Sequence, residues 1–244
     1  MPQTDPSSAS PNLDPAEAEK FDGLASRWWD PQGDFRPLHD INGPRADYIA
    51  DRVELTDSAV IDIGCGGGLL CEALAKRGAS VTGLDAAEKP LAVARLHQTE
   101  SELEIEIDYR QGTAEELAAE RAGEFDVVCC LEMLEHVPDP ASTVAACAAL
   151  VRPGGQLFFS TINRRPLAWA GAIVGAEYVL GLLPRGTHRY DRLIKPSELA
   201  SACRQAGLVV NEIVGMAYNP FSRTVRVGGA PSINYLLHAR RPEH

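Results

Sequence analysis

From Val60 to Glu72 the chain reads Val-Ile-Asp-Ile-Gly-Cys-Gly-Gly-Gly-Leu-Leu-Cys-Glu, and no other stretch limits its fold as much. The apolar residues around Asp62 predict a strand buried on both faces. Gly64, Gly66 and Gly68 then predict a tight turn into a helix carrying Leu69, Leu70, Ala73 and Leu74. This is the first crossover of a parallel α/β sheet. Lacking Cβ atoms, such a turn can bend sharply and let a ligand lie against its backbone, beside the N–H groups that open the helix.

The kind of ligand follows from spacing. A dinucleotide fingerprint would place its third glycine at position 69, which is Leu, and this speaks against an NAD-linked oxidoreductase. What stands instead is Asp62-x-Gly64-x-Gly66-x-Gly68, then the strand Ser80–Leu84 and an acid, Asp85, twenty-one positions beyond Gly64. A carboxylate at the end of the second strand is placed to accept the hydroxyls of a ribose. The pattern resembles motifs I and II of the class I S-adenosylmethionine-dependent methyltransferases. That resemblance implies a Rossmann-like α/β fold with a seven-stranded, mostly parallel sheet and helices on both faces. A non-catalytic lipid-surface scaffold with a vestigial turn would not need Asp62, Gly64, Gly66, Gly68 and Asp85 all intact.

A length of 244 residues, 45% hydrophobic and 23% charged, suits one domain with a short appendage. The net charge of −11 argues against a general nucleic-acid partner, since phosphate neutralisation needs dense Lys and Arg. Six cysteines without a C-x-x-C pair read as reduced core thiols of a cytoplasmic protein. Residues 1–15, with four prolines, three serines and no Lys or Arg, read as a disordered tail rather than a signal or transit peptide. The single domain then spans 16–244. Its first part, 16–55, forms a helical cap: one helix through Phe21, Leu24, Ala25 and Trp28, a Pro-broken link at Phe35–Asn42, and a second helix with Arg45, Tyr48 and Ile49. The cap can cover the carboxyl ends of the strands, where ligands sit, and Trp28 and Trp29 read as helix packing, with substrate stacking as the alternative. Arg45 is a candidate for pairing with a cofactor carboxylate.

Beyond Asp85, the helix from Pro90, the outer strand Ile105–Arg110 and the loop Gly112-Thr113-Ala114-Glu115 lead to a second doubly buried strand, Phe125–Leu131. That strand delivers Glu132, Glu135 and His136, whose i, i+3, i+4 spacing gives one shared face on a helical turn. Two carboxylates and an imidazole can hold a divalent cation, or one of them can act as a base. The alternative is an acidic first turn favoured by the helix dipole. His39 and His188 are weaker base candidates. Leu208–Met216 and Ile233–Ala239 read as the last strands, joined by a long loop at Asn219–Ser232.

The segment 164–195 stands apart. Seventeen residues, Leu167 to Leu183, carry one charge, Glu177, and the segment holds Arg164, Arg165, Arg185, Arg189, Arg192 and Lys195 against Glu177 and Asp191. A spanning helix needs about twenty apolar residues, so a surface element on an anionic bilayer, or a buried helical insertion, fits better.

Several motifs outside the glycine turn make the resemblance narrower. They are Trp28-Trp29-Asp30-Pro31-x-Gly33, Pro37-Leu38-His39-x-Ile41-Asn42-x-x-Arg45, Glu132–Pro140, Ser160-Thr161-Ile162-Asn163-Arg164, Val174-Gly175-Ala176-Glu177-Tyr178 and Lys195-Pro196-Ser197-Glu198-Leu199. Together they resemble the ubiquinone-biosynthesis O-methyltransferase family over about Phe21 to Arg240, with Leu131 standing where that family is expected to carry Met. The resemblance implies methylation of the phenolic hydroxyls of polyprenyl catechol and 3-demethylubiquinol intermediates. It implies S-adenosylmethionine contacts at Arg45, Asp62, Gly64, Gly66, Asp85, Thr113, Ala114 and Leu131, with the Thr113–Ala114 loop over the adenine. It further implies Mg²⁺ around Glu132, Glu135 and His136, approach of residues 165–187 to the inner face of the plasma membrane, and association with other enzymes of the pathway.

Overall fold

The computed structural model describes residues 12–101, 106–166 and 190–243. Eight strands form one sheet: β1 (Ala59–Ile63), β2 (Ser80–Asp85), β3 (Asp108–Gln111), β4 (Phe125–Leu131), β5 (Val151–Ile162), β6 (Val209–Asn219), β7 (Thr224–Val227) and β8 (Asn234–Arg240). Their order is β3-β2-β1-β4-β5-β8-β6-β7. The first five are parallel, β8 runs antiparallel to β5 and β6, and β6 pairs antiparallel with β7. The order reverses beside β1, which puts a ligand-binding crevice outside the carboxyl ends of β1 and β4.

Among the described residues, seven α-helices accompany the sheet: α1 (Pro15–Leu24), α2 (Arg36–Ala50), α3 (Leu69–Ala75), α4 (Glu88–Glu100), α5 (Ala114–Glu120), α6 (Pro140–Leu150) and α7 (Pro196–Gln205). The central strands alternate between two cores, as a period of two requires. Ile61, Ile63, Val128, Cys130, Leu157 and Phe159 face α5, α6 and α7. Val60, Val127, Cys129, Phe158 and Leu236 face α2, α3 and α4. All six cysteines are buried and free.

Two local expectations are corrected. The link at Phe35–Asn42 is the first half of α2: Pro37 sits in its first turn, where a missing N–H goes unnoticed. Pro44 lies inside the same helix, directly after Gly43. With no Cβ to meet the proline ring, Gly43 accepts the helical conformation that most residues before proline avoid. The expected loop at Asn219–Ser232 contains β7, which adds an eighth strand and packs on α2. Asn12 to Asp14, read as part of the tail, are held in place. Asn12 Nδ2 donates to Glu115 Oε1 (2.8 Å) and the Asp139 carbonyl (2.8 Å), and Asp14 caps α1 through the Ala16 N–H (3.1 Å). Among the described residues no helix is long and apolar enough to cross a membrane.

Candidate active site

At the carboxyl edge, the turn after β1 is fastened to the end of β2. The N–H groups of Gly64 and Cys65 donate to the Leu84 carbonyl (2.8 and 3.0 Å). Asp85 Oδ2 accepts from the Gly66 N–H (2.8 Å) and Oδ1 from the Ala87 N–H (2.8 Å). Each oxygen keeps a lone pair for a further donor, as ribose recognition needs. Burial raises the Asp85 carboxyl above the usual range, against the pull of those N–H groups. Asp62, 4% exposed, is pushed up to about 7 by burial, with Arg45 opposing the shift.

Arg45 reaches this point from α2 and is itself 4% exposed. Burial lowers its pKa, while the charges of Glu132 and Asp62 restore part of the loss. No acceptor among the described residues meets its Nε. A buried guanidinium with an unused donor is costly unless an anion completes it.

The paired tryptophans of the cap lie on the glycine turn. Trp28 covers Gly66 and Gly67 so closely that a Cβ on either would overlap its ring. Gly64 leaves similar room for Met133 and Gly68 for Tyr109. The glycines therefore accommodate the protein's own side chains as well as a ligand. Trp29 donates from Nε1 to the Gly67 carbonyl (2.9 Å) and stacks on His97 (centroids 3.4 Å apart, 2° between planes). The edge of His97 is fixed by Glu72 Oε1, 2.6 Å from Nδ1.

Glu132, Glu135 and His136 do not share a face, contrary to their spacing. Glu132 takes φ 55°, outside any right-handed helix, and only Leu134–His136 form a short 3-10 turn. Glu132 accepts from Ser160 Oγ (2.7 Å) and Asn234 Nδ2 (3.2 Å). Glu135, 4% exposed, turns into the core to accept from Thr161 Oγ1 (2.8 Å). His136 Nδ1 lies 2.8 Å from Glu17 Oε2 on α1, and the hydrogen bond from His136 holds the Glu17 carboxyl down at about 2. Among the described residues no group of three His, Cys, Asp or Glu side chains is arranged to hold a metal ion. The three side chains are thus not, in this arrangement, the converging donor set that Mg²⁺ requires.

One cavity is lined by all eight expected cofactor residues, Arg45, Asp62, Gly64, Gly66, Asp85, Thr113, Ala114 and Leu131, together with Glu132 and His136. Thr113 contributes through its place in the loop. Its hydroxyl is committed to the capping box of α5, accepting from the Glu116 N–H (3.3 Å) while Glu116 accepts from the Thr113 N–H (2.9 Å). His39 is tied to the Trp28 carbonyl (2.9 Å). His188 and positions 167–189 of the apolar, basic segment lie outside the described residues. The sequence did not single out Asn12, Asp14, Glu17 and Phe21, which also line the cavity, and it favoured packing for Trp28, which lines it as well. α1 carries a weak apolar pattern and buries no residue fully; it is held by the packing of Phe21 and Leu24 against the cluster around Trp28 and by polar ties to distant residues.

Comparisons with known proteins agree with this geometry. A family profile described as a methyltransferase domain matches residues 39–213. The chain is 57% identical to the ubiquinone biosynthesis O-methyltransferase of Azotobacter vinelandii over 232 residues, covering 95% of this chain and 99% of that one. It is 56% identical to the protein of the same name from Pseudomonas aeruginosa, covering 94% and 98%. Among solved structures, magnesium protoporphyrin IX methyltransferase from Synechocystis PCC 6803 with bound SAH superposes with a TM-score of 0.65 at 20% identity, covering 92% of this chain and 99% of that one. This last likeness concerns the fold alone. With its glycine turn, the acid that ends β2 and a buried arginine on one cavity, and with relatives this similar along nearly the whole chain, the protein belongs to the ubiquinone biosynthesis O-methyltransferase family.

Proposed function

We propose that this enzyme transfers the methyl group of S-adenosylmethionine to phenolic hydroxyls of polyprenyl catechol and 3-demethylubiquinol intermediates of ubiquinone synthesis. The observation that carries the reading is the convergence of Asp85, the glycine turn and the buried Arg45 on one cavity at the carboxyl edge of the sheet. Asp85 offers acceptors for a ribose, Arg45 an anchor for a carboxylate, and Ala114 and Leu131 apolar surface for an adenine. Bound there, S-adenosylmethionine supplies a methyl group on a sulfonium, which becomes a neutral thioether as the S–C bond breaks and the O–C bond forms.

The side chains have two tasks: aligning the acceptor oxygen and removing its proton. Alignment of this kind is worth about 7–11 kcal/mol of barrier. A phenol with a pKa near 10 costs about 4 kcal/mol to ionise at pH 7, and a positioned base supplies about 10²–10⁴-fold. Among the carboxylates and the imidazole that line the cavity, Glu132 and His136 are the candidate proton acceptors from the turn after β4, whereas Glu135 braces that turn from the core through Thr161. Glu135 is held in the core by Thr161, so the three side chains would have to rearrange to converge on Mg²⁺, which if bound would polarise the acceptor oxygen.

The lipid substrate calls for access to a bilayer, and we assign that contact to 164–195. At its described ends Arg165 is exposed, while Arg164 pairs with Glu198 and Arg192 with Asp14, so part of the basic flank is neutralised within the protein.

The test is transfer from labelled S-adenosylmethionine to a short-chain demethylubiquinol and to a polyprenyl catechol, before and after chelation. Transfer to both supports the reading; transfer to neither leaves a methyltransferase of another small phenolic or lipid. Loss on chelation, reversed by Mg²⁺, would mean that Glu132, Glu135 and His136 regroup around a cation. If transfer survives chelation, His136→Ala is expected to slow it by about 10²-fold or more, and full activity in that variant would remove His136 from the mechanism.

A further inference from the structure

Trp28 is 7% exposed and lines the cavity, yet no acceptor among the described residues meets its indole Nε1. A buried donor without a partner is uncommon and unfavourable. The ring has little freedom to find one. It stacks on Phe35 (centroids 4.1 Å apart, 26° between planes), packs near Phe21, and is seated on the backbone of Gly66 and Gly67. The adjacent indole behaves differently, for Trp29 donates to the Gly67 carbonyl. Of the two neighbouring tryptophans, one is satisfied within the fold and the other is left unsatisfied at the cavity wall.

A second unused donor belongs to another residue that lines the same cavity. Arg45 Nε is also without an acceptor, and Arg45 is as deeply buried as Trp28. Two buried donors on one cavity, one of them cationic, are satisfied together by an anion with more than one lone pair, and a carboxylate is such a group. Resting on the reading that this cavity holds S-adenosylmethionine, we propose that Trp28 is a further cofactor-binding residue, whose indole N–H donates to the carboxylate of the cofactor's amino-acid tail alongside Arg45. The side chain that covers the glycine turn then also reads the ligand, and the N-terminal cap is part of the cofactor site.

The experiment compares two ligands on two proteins by calorimetry. S-adenosylhomocysteine carries the amino-acid tail; 5′-methylthioadenosine keeps the adenosine and thioether without it. Trp28→Phe keeps an aromatic ring and removes the N–H. The variant is expected to bind S-adenosylhomocysteine about tenfold more weakly, as loss of a hydrogen bond to a charged group predicts, with binding of methylthioadenosine unchanged. Equal losses for both ligands would make Trp28 a packing residue, and no loss for either would remove it from the site. Should the variant fold poorly, the wild-type protein decides, because it has only three tryptophans. The Trp28 indole ¹⁵N–¹H signal should move on adding S-adenosylhomocysteine and stay in place with methylthioadenosine; movement with both, or neither, overturns the proposal. Failure of the wild-type protein to bind S-adenosylhomocysteine at all would instead overturn the underlying reading of the cavity.

Discussion

Arg45 is held among Asp62 and Glu132 with a donor unused, so the free enzyme carries a partly desolvated cation that a carboxylate can complete. Removing one partner of such a buried charge pair costs about 2–5 kcal/mol. Arg45→Met is therefore expected to weaken S-adenosylhomocysteine binding by about 30-fold or more in a calorimetric titration. Asp62 leads to a prediction about pH. Its folded pKa of about 7 lies above the ordinary 3.8, so between those values the folded chain holds a proton that the unfolded chain has released. The resulting stability is full below about pH 4 and is lost as pH rises through 7. Glu17 acts in the opposite sense: its pKa is lowered from 4.5 to about 2, and its contribution is lost as pH falls through that interval. Urea melts of the ligand-free protein at pH 5.5 and pH 8 should show wild-type stability falling towards pH 8, with a smaller fall in Asp62→Asn. Equal falls in both proteins would place the titration elsewhere.

At the scale of elements, the turn between β1 and α3 is the least replaceable piece. Gly66 has φ 53°, and a Cβ there would overlap Trp28. Gly66→Ala combines backbone strain of about 1–3 kcal/mol with displacement of the ring. Its urea midpoint is expected to drop and its affinity for S-adenosylhomocysteine to fall with it; a variant with wild-type values for both would show that the cap moves aside freely. Much of this element was legible in the sequence, because strand, turn and helix are neighbours along the chain. The turn after β4 was not. An i, i+3, i+4 spacing aligns side chains only on helical backbone, and Glu132 leaves that region of φ. Ser160, Thr161 and Asn234 then draw Glu132 and Glu135 apart, and Glu17 on α1 takes His136.

For the molecule as a whole, the charge of −11 is set against a basic segment at 164–195, which is expected to bring an otherwise acidic protein to an anionic surface. Co-sedimentation should show binding to phosphatidylglycerol-containing vesicles, little binding to phosphatidylcholine vesicles, and a marked loss in 0.5 M salt, where the screening length falls to about 4 Å. Equal binding to both kinds of vesicle would put the attraction in apolar contacts instead. The carboxyl edge of the sheet carries the cavity, and the segment leaves β5 at Ile162 on that same edge. A lipid-borne substrate would thus have a short route to it.

The sequence by itself determined the βαβ unit, with its glycine turn and the acid at its far end, and the doubly buried strands. These depend on local periodicity, on glycine and on an offset within one crossover, which are properties of short stretches of chain, whereas the remaining cofactor candidates came from the family resemblance. The tertiary structure decided what those residues meet. It set Trp28 on the glycines, brought Glu17 to His136 across 119 positions, and turned Glu135 inward to Thr161. Such contacts form only when distant segments close on one another, because a buried donor or carboxylate settles wherever the assembled fold supplies a partner.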